Sequence, residues 1–429
     1  MKTLSNFPYT EVEFDMDGKP VDPRETQDLM DYLAGDGKEL TDLFIMSHGW
    51  NNDMNDARGL YARFFAVLRG VLDQTPPSSL AGRRFGVVGI LWPSKKFADA
   101  DLIPGGAAAF DPDSALQDSL DHLKTFFTTD DARAKIDEAK ALADRLDEGE
   151  PARDAWFAKI RALLPARGQD SEDASEQFLA IPGSDLLRKL QAPIAPALSP
   201  GSGFQGGGAA GFGDFFGSVQ SAAIQALNYT TYYLMKDRAG VVGRAGVCGL
   251  ISEIANHSPG LKIHLIGHSF GGRVVTSAAD ASASKVSGMT LLQAAFSHYS
   301  FAHNYEPGSD GLFREVVTDG KVTGPILISH SMRDTAVGKA YAIASAIAGQ
   351  IAQALGDEND RYGGLGRNGA RLTPEAVDGN LQAVGSTYQF TGGKIFNLTA
   401  DDIIMEHSDI CKPEVAYALL SAVAAASPA

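Results

Sequence analysis

Ile263-His264-Leu265-Ile266-Gly267-His268-Ser269-Phe270-Gly271-Gly272-Arg273 is the stretch that decides how the rest of the chain is read. Apolar, β-prone residues run straight into Gly-x-Ser-x-Gly, and Arg273-Val274-Val275 then begins a helix-like pattern. A strand, a tight turn with serine at its apex and a helix make a nucleophile elbow. The turn forces Ser269 into a strained backbone conformation, and a side chain at 267 or 271 would collide across it. The geometry lifts the hydroxyl out of the sheet and aims a helix N-terminus at it, so backbone N–H groups face a developing oxyanion. A bare Gly-x-Ser-x-Gly arises often by chance in a chain with 46 glycines. The strand before it and the helix after it favour the functional reading over a plain Gly-rich turn.

Composition sets the bounds. The 429 residues are 44% hydrophobic and 21% charged, the balance of an ordinary globular protein. That length holds one large domain with a sizeable insertion, or two domains. A net charge of −16 and a pI near 5.0 set nucleic acid aside as a partner and repel anionic membrane surfaces. Two cysteines, Cys248 and Cys411, build no disulfide framework and fit a reducing compartment. The opening residues, Met1 to Pro8, lack the apolar core of a signal peptide. No uninterrupted apolar run approaches the roughly 20 residues that span a bilayer. Ala336 to Leu355 comes nearest, but Lys339, Gln350 and Gln353 make it a packed surface helix. The expectation is a cytoplasmic protein with no stable membrane insertion, with export by a route lacking a cleaved signal left open.

Working outward from the elbow, Leu43-Phe44-Ile45-Met46 is a buried strand ending in Ser47-His48-Gly49-Trp50-Asn51-Asn52. Asn51 and Asn52 are placed to cap the helix that follows, Ala57 to Val71. Phe85 to Leu91 is the next strand and closes with Trp92-Pro93-Ser94. Further strands are read at Met289–Ala295, Ile326–Ile328 and Lys394–Leu398, and a closing helix at Pro413–Ala426. Upstream, Glu11 to Asp15 turns at Asp17-Gly18 and returns through Lys19-Pro20-Val21 as a hairpin, ahead of a short helix from Glu25 to Leu33.

His-Gly-Trp-Asn, then Trp-Pro-Ser, then Gly-His-Ser-Phe-Gly-Gly, in this order, resembles a bacterial subfamily of the α/β-hydrolase superfamily whose substrate is poorly defined. The resemblance covers roughly residues 40–95 and 230–420. It implies the α/β-hydrolase fold, a mostly parallel sheet flanked by helices, and serine-hydrolase machinery, and it names no substrate. In that family the strand ending in His-Gly lies beside the elbow. The amide of Trp50 would then be one oxyanion donor and the amide of Phe270 the other. His48 is expected to brace that loop, with a place in the substrate pocket as the alternative.

The chain departs from the family after Ser94, where roughly 120 residues precede the return to the core. Core is expected over 1–95 and 218–429, and residues 96–217 form a helical and Gly-rich insertion. Helices are predicted over Ala115–Phe127, Ala132–Leu146 and Ala155–Leu164, the second with Ile136, Ala139, Ala143 and Leu146 on one face. Pro193 to Gly217 is rich in Gly, Pro and Ala and carries Phe204, Phe212, Phe215 and Phe216. It reads as a lid whose phenylalanines line an apolar pocket, or as a linker whose aromatics pack statically. From Ser218 to Asn256 the chain is helical, and Gly240, Gly243, Gly246 and Gly249 recur every third residue. Each weakens a helix by up to about 1 kcal/mol relative to Ala, so close packing against the sheet is the expected reason.

Two motifs carry nothing. Asp15-x-Asp17-Gly18 lacks the later ligands of a calcium loop, so no metal is expected. Gly364-x-Gly366-x-x-Gly369 has the dinucleotide spacing, but it sits in a polar loop, Gly356 to Gly369, with no strand before it, and no cofactor is expected.

Hydrolases of this fold order their triad as Ser, acid, His along the chain. Ser269 needs a base, because a free hydroxyl is a poor nucleophile at neutral pH. His407 follows the last strand in a loop over the carboxyl edge of the sheet, with Ser408 and Asp409 read as a helix start. Asp334 follows the strand Ile326–Ile328 and is the acid candidate, also placed to cap the helix beginning at Thr335 and Ala336. The strand ending near Ala295 is the fold's other acid position, but no acidic residue follows it until Glu306. Asp401 and Asp402 are rivals. Ser269, Asp334 and His407 point to a serine esterase or lipase-like hydrolase acting on a small ester or lipid-like substrate. An amidase, peptidase or acyltransferase uses the same triad. A catalytically silent binding protein is the reading from another class, and it needs none of the three residues. Serine at 269 sets aside dehalogenase and epoxide hydrolase chemistry, which needs an acid there.

Overall fold

The computed structural model describes residues 2–50, 54–94, 112–164, 175–191, 218–337 and 361–426. By compactness the chain divides into two units, one of Met1–Ser94, Arg238–Gly338 and Gly363–Ala429, the other of Lys95–Asp237 and Lys339–Tyr362.

The first unit is built on one nine-stranded sheet. Its strands are β1 (Lys2–Leu4), β2 (Phe7–Glu13), β3 (Asp42–Ser47), β4 (Phe85–Leu91), β5 (Lys262–His268), β6 (Gly288–Leu292), β7 (Ile326–His330), β8 (Ala376–Asn380) and β9 (Ile395–Thr399). They lie in the order β1-β2-β4-β3-β5-β6-β7-β9-β8. Only the β1–β2 pair is antiparallel. β3 and β4 are buried along their whole length, which is why their sequences read as unbroken apolar runs. The chain leaves β3 for β4 on one side and later returns as β5 on the other. The carboxyl ends of β3 and β5 are therefore the point where the strand order reverses, the place where ligands bind in open parallel sheets. The helix Met54–Gln74 and the closing helix Pro413–Ala425 pack together on one face.

The helical return reads differently from the sequence. Val219–Val241 gives way to one turn of π-helix, Val242–Val247, before Cys248–His257. The glycines there do not pack on the sheet. A Cβ at Gly243 would lie 2.3 Å from the carbonyl oxygen of Val274, in the helix after the elbow. One at Gly246 would lie 2.7 Å from the Phe14 ring and 2.8 Å from the Gly18 carbonyl, at the Asp15–Gly18 turn. The partners are thus the elbow helix and the hairpin. The π-turn, a frequent accompaniment of functional sites, is the segment that makes these two contacts. The reading of 356–369 as polar loop is also corrected: Leu365–Asn368 is a short buried helix, and Gly366 packs against the backbone of Gln293.

The second unit, among the described residues, is helical. Pro112–Lys124, Asp130–Ala143, Glu150–Arg161, Ser175–Ala180 and Gly183–Leu190 precede the long helix that begins at Val219. Ile136, Ala139, Ala143 and Leu146 are buried, the face that their spacing predicts. Trp156, Phe157 and Phe178 fill the interior, with the Phe157 and Phe178 rings edge-on at 5.3 Å. Phe204, Phe212, Phe215 and Phe216 lie outside the described residues, as do Asn51, Asn52 and most of the helix predicted over Ala336–Leu355.

Candidate active site

Ser269 sits between β5 and the elbow helix, Phe270–Ala281, at φ 55° and ψ −125°. A non-glycine residue in that region carries about 1–3 kcal/mol of strain and persists only where its surroundings fix it. Here they do. Ser269 donates its backbone N–H to Leu292 O (3.0 Å), and its own carbonyl accepts from Ala295 (3.1 Å) and Gly272 (3.0 Å). The two elbow glycines fill different roles. A Cβ at Gly267 would lie 2.5 Å from Gly271 O, across the turn, as the sequence suggests. A Cβ at Gly271 would instead lie 2.1 Å from Ser47 O and 2.5 Å from His48 O, the end of the neighbouring strand. The elbow helix therefore starts in backbone contact with the segment that leads into Gly49-Trp50.

That segment lies against the serine. A Cβ at Gly49 would be 2.5 Å from Ser269 Cβ and 3.1 Å from its Oγ. His48 is fully buried and braces the loop. Its Nδ1 lies 2.9 Å from Gly49 O, its Nε2 lies 3.3 Å from Trp92 N, and its ring stacks on Trp92 at 5.6 Å. Burial pushes its pKa down to about 4, so near neutral pH it is an uncharged imidazole, donating from Nδ1 and accepting at Nε2. The carbonyl of Gly49 and the N–H of Trp50 share one planar trans peptide and point opposite ways. Tying the carbonyl back to His48 thus turns the Trp50 N–H away from it. The second N–H in the expected pair, that of Phe270, opens the elbow helix, whose N-terminal dipole favours negative charge.

Across the sheet, the structure brings Asp334 and His407 together. His407 Nδ1 lies 2.8 Å from Asp334 Oδ2. A carboxylate only accepts, so Nδ1 carries the proton and Nε2 presents a lone pair. Asp334 is buried at the end of the segment following β7, and its other oxygen, Oδ1, accepts the N–H of Val337 (2.9 Å). It is a helix cap as well as the partner of the imidazole. Asp401 is engaged elsewhere, accepting the N–H of Met332 (2.7 Å), and Asp402 is exposed. Ser408 and Asp409 do not start a helix: the closing helix begins at Pro413, and Asp409 accepts the N–H of Met405 (3.2 Å), tightening the turn around His407.

Two residues near this pair escape sequence reasoning. His268 is buried, lies 5.0 Å from the His407 ring centre to centre, and donates Nε2–H to the His407 carbonyl (3.0 Å). Burial, helped by the neighbouring His407, lowers its pKa to about 3, so it stays neutral. Gln293 follows β6 with φ 46° and lies fully buried beside Asp334. The signal for it was its place at the end of β6, the fold's other acid position. Among the described residues, no group of three or more His, Cys, Asp or Glu side chains is arranged to hold a metal ion. Among the same residues, no helix is long and apolar enough to cross a membrane.

No curated protein and no solved structure matches the chain. A family model described as serine aminopeptidase, S33, matches residues 246–358, about a quarter of the sequence. That stretch runs from the π-turn through β5, the elbow helix, β6 and β7 to beyond Asp334, and it leaves out β3, β4 and His407. It is the part of the sheet that carries the elbow, and with the mostly parallel strand order around it the chain has the fold of the α/β hydrolases.

Proposed function

We propose that the protein is a serine hydrolase that cleaves small carboxylic esters through an acyl-enzyme, with Ser269 as nucleophile, His407 as base and Asp334 as acid. The observation that carries this reading is the 2.8 Å hydrogen bond between His407 and Asp334, at the same sheet edge as the strained serine. His407 Nε2 takes the proton from Ser269 Oγ as the oxygen attacks the ester carbon. Asp334 holds the tautomer and stabilises the imidazolium that forms. The tetrahedral oxyanion is received by the N–H groups of Trp50 and Phe270. The imidazolium then protonates the leaving alcohol, and water, activated by the same base, releases the acid.

The match to a serine aminopeptidase model favours a second reading, in which the same residues cleave an amide. The leaving group is the only difference, so matched p-nitrophenyl acyl esters and aminoacyl p-nitroanilides separate the two by their kcat/KM. For the machinery itself, a fluorophosphonate probe followed by peptide mapping should label Ser269. Ser269→Ala should lose about six orders of magnitude in kcat, and Asp334→Asn about four. More than a few per cent of activity left in purified Ser269→Ala would sink the assignment. If Asp334→Asn is near wild type while Asp401→Asn is dead, the acid is on the other loop.

A further inference from the structure

Gln293 is not a residue that packing alone explains. Its side chain lies in the interior at the end of β6, yet it is an amide with three polar partners. Nε2 is 3.3 Å from Asp334 Oδ2 and 3.1 Å from Gly366 O, and Oε1 is 2.9 Å from Ser329 Oγ. The orientation of the amide is fixed by chemistry. A carboxylate and a carbonyl only accept, so the NH2 group must face them, and the Ser329 hydroxyl donates to Oε1. The backbone is fixed too. Gln293 adopts φ 46°, and a Cβ at Gly366 would lie 2.4 Å from its carbonyl carbon, so the short helix Leu365–Asn368 clamps it from above.

Asp334 Oδ2 therefore receives two donors, His407 Nδ1–H and Gln293 Nε2–H. We propose that Gln293 is a positioning residue: it holds the Asp334 carboxylate in the orientation that receives His407 and limits how strongly that carboxylate holds an imidazolium. This rests on the triad reading above. A donor shared by the carboxylate spreads its negative charge. Removing that donor leaves more of the charge for His407, so the imidazolium is favoured and the base is lost at higher pH. The same removal frees the carboxylate to turn, which lowers kcat. Other charged and titratable groups face the pair from several elements. His268 comes from β5 and is held neutral by burial. Arg367 comes from the helix over β7 and is bonded to Met332 O, and Asp401 follows β9 and is bonded to Met332 N. Glu406 and Asp409 lie on the His407 loop. None of these bonds to Gln293, so a substitution there leaves their arrangement in place.

The test compares kcat, KM and the pH dependence of kcat/KM for wild type, Gln293→Met, Gln293→Glu and Asp334→Asn on one p-nitrophenyl ester. Gln293→Met keeps the length and removes the donor. It should lower kcat about ten-fold with KM within about two-fold, and move the acidic limb up by about half a pH unit. Gln293→Glu adds negative charge beside the carboxylate and should move the limb further the same way. Where Gln293→Met fails to fold, Ser329→Ala carries the test. It removes the hydroxyl that tethers Oε1 and should move kcat and the limb in the same direction by less. A limb that stays at the wild-type position in the folded variants, whatever happens to kcat, makes Gln293 a packing residue and overturns the proposal. If that occurs while Asp334→Asn has lost its activity, the triad stands and only the role of Gln293 falls. If Asp334→Asn is itself near wild type, the triad falls and takes this proposal with it.

Discussion

Gly271→Ala adds a single methyl group at a point where two pieces of backbone touch. That methyl would lie 2.1 Å from Ser47 O and 2.5 Å from His48 O, and neither atom belongs to a side chain that can turn aside. Cβ–oxygen separations below about 3 Å do not persist in close-packed interiors, so the elbow helix must retreat from the end of β3 by about 1 Å. A displacement of that size at a catalytic constellation costs roughly 10²-fold in rate. Here it separates the Phe270 amide, which moves with the helix, from the Trp50 amide, which stays with β3. Both amides are proposed to bind the oxyanion, so the loss belongs in kcat, with KM little changed. Overpacking should also cost about 1–3 kcal/mol of stability. Gly249→Ala is the internal control. It is the same chemical change in a helix where the new methyl meets nothing within 4 Å, and it should be neutral or stabilising by up to about 1 kcal/mol. The assay is ester hydrolysis on both variants, with thermal melting and fluorophosphonate titration of the folded fraction. A Gly271→Ala enzyme whose kcat/KM per labelled serine stays within about three-fold of wild type would refute the reasoning, because the two N–H groups would not then depend on that contact.

Two further outcomes are expected. Asp42, buried at the start of β3, accepts from Arg83 and His264; burial alone would raise its pKa, but these donors outweigh it and hold it at about 2 against an ordinary 3.8. At 1.36 kcal/mol per pH unit this is worth about 2 kcal/mol, fully present above the unfolded value and lost as pH falls through about 2. Urea unfolding of wild type and Asp42→Asn should therefore show a gap that narrows between about pH 4 and pH 2; a gap of constant size across that range contradicts it. Replacing residues 200–217 by a short Gly-Ser linker should leave probe labelling of Ser269 intact and change the preference between short and medium acyl esters, and an unchanged preference makes the stretch a linker.

The strands β3 and β4 are legible in the sequence because each is buried on both faces, so its apolar run is continuous, and β5 because it runs into Gly-x-Ser-x-Gly. β8 is not, because Ala376-Val377-Asp378-Gly379-Asn380 is a half-exposed edge strand with no pattern to read. The hairpin of β1 and β2 is missed for a related reason: its turn is Ser5-Asn6, two non-glycine residues at positive φ. The candidate site is legible where residues stand at strand ends. Ser269 is named from the elbow motif, the His48-Gly49-Trp50 loop from the resemblance, and Asp334 and His407 from their order and place after strands. Gln293 and His268 are not, because their significance lies in contacts between segments far apart in sequence: 293 with 334 and 366, 268 with 407. Side-chain amides and neutral imidazoles carry no sequence signature for such contacts.

The two ends of one strand pair explain why so much polar chemistry is buried away from the elbow. β3 and β5 run in register from Asp42 opposite Lys262 to Ser47 opposite Gly267. At the amino end, His264 Nε2 lies 2.7 Å from Asp42 Oδ1 and Arg83 holds the same carboxylate. Burial outweighs the attraction of Asp42 and lowers the His264 pKa, so His264 is a neutral donor, and Arg83 is the charge partner. At the carboxyl end, the same two strands deliver Gly49-Trp50 and Ser269 to one point. A slip of one residue would shift the strands by about 3.3 Å and turn every side chain to the other face. It would carry the Trp50 amide away from the serine and pull His264 off Asp42. A buried polar link of this kind is costly to break and satisfied in only one alignment, whereas apolar side chains tolerate several. The Asp42 network thus fixes, from one end of the sheet, the register on which the geometry around Ser269 depends at the other.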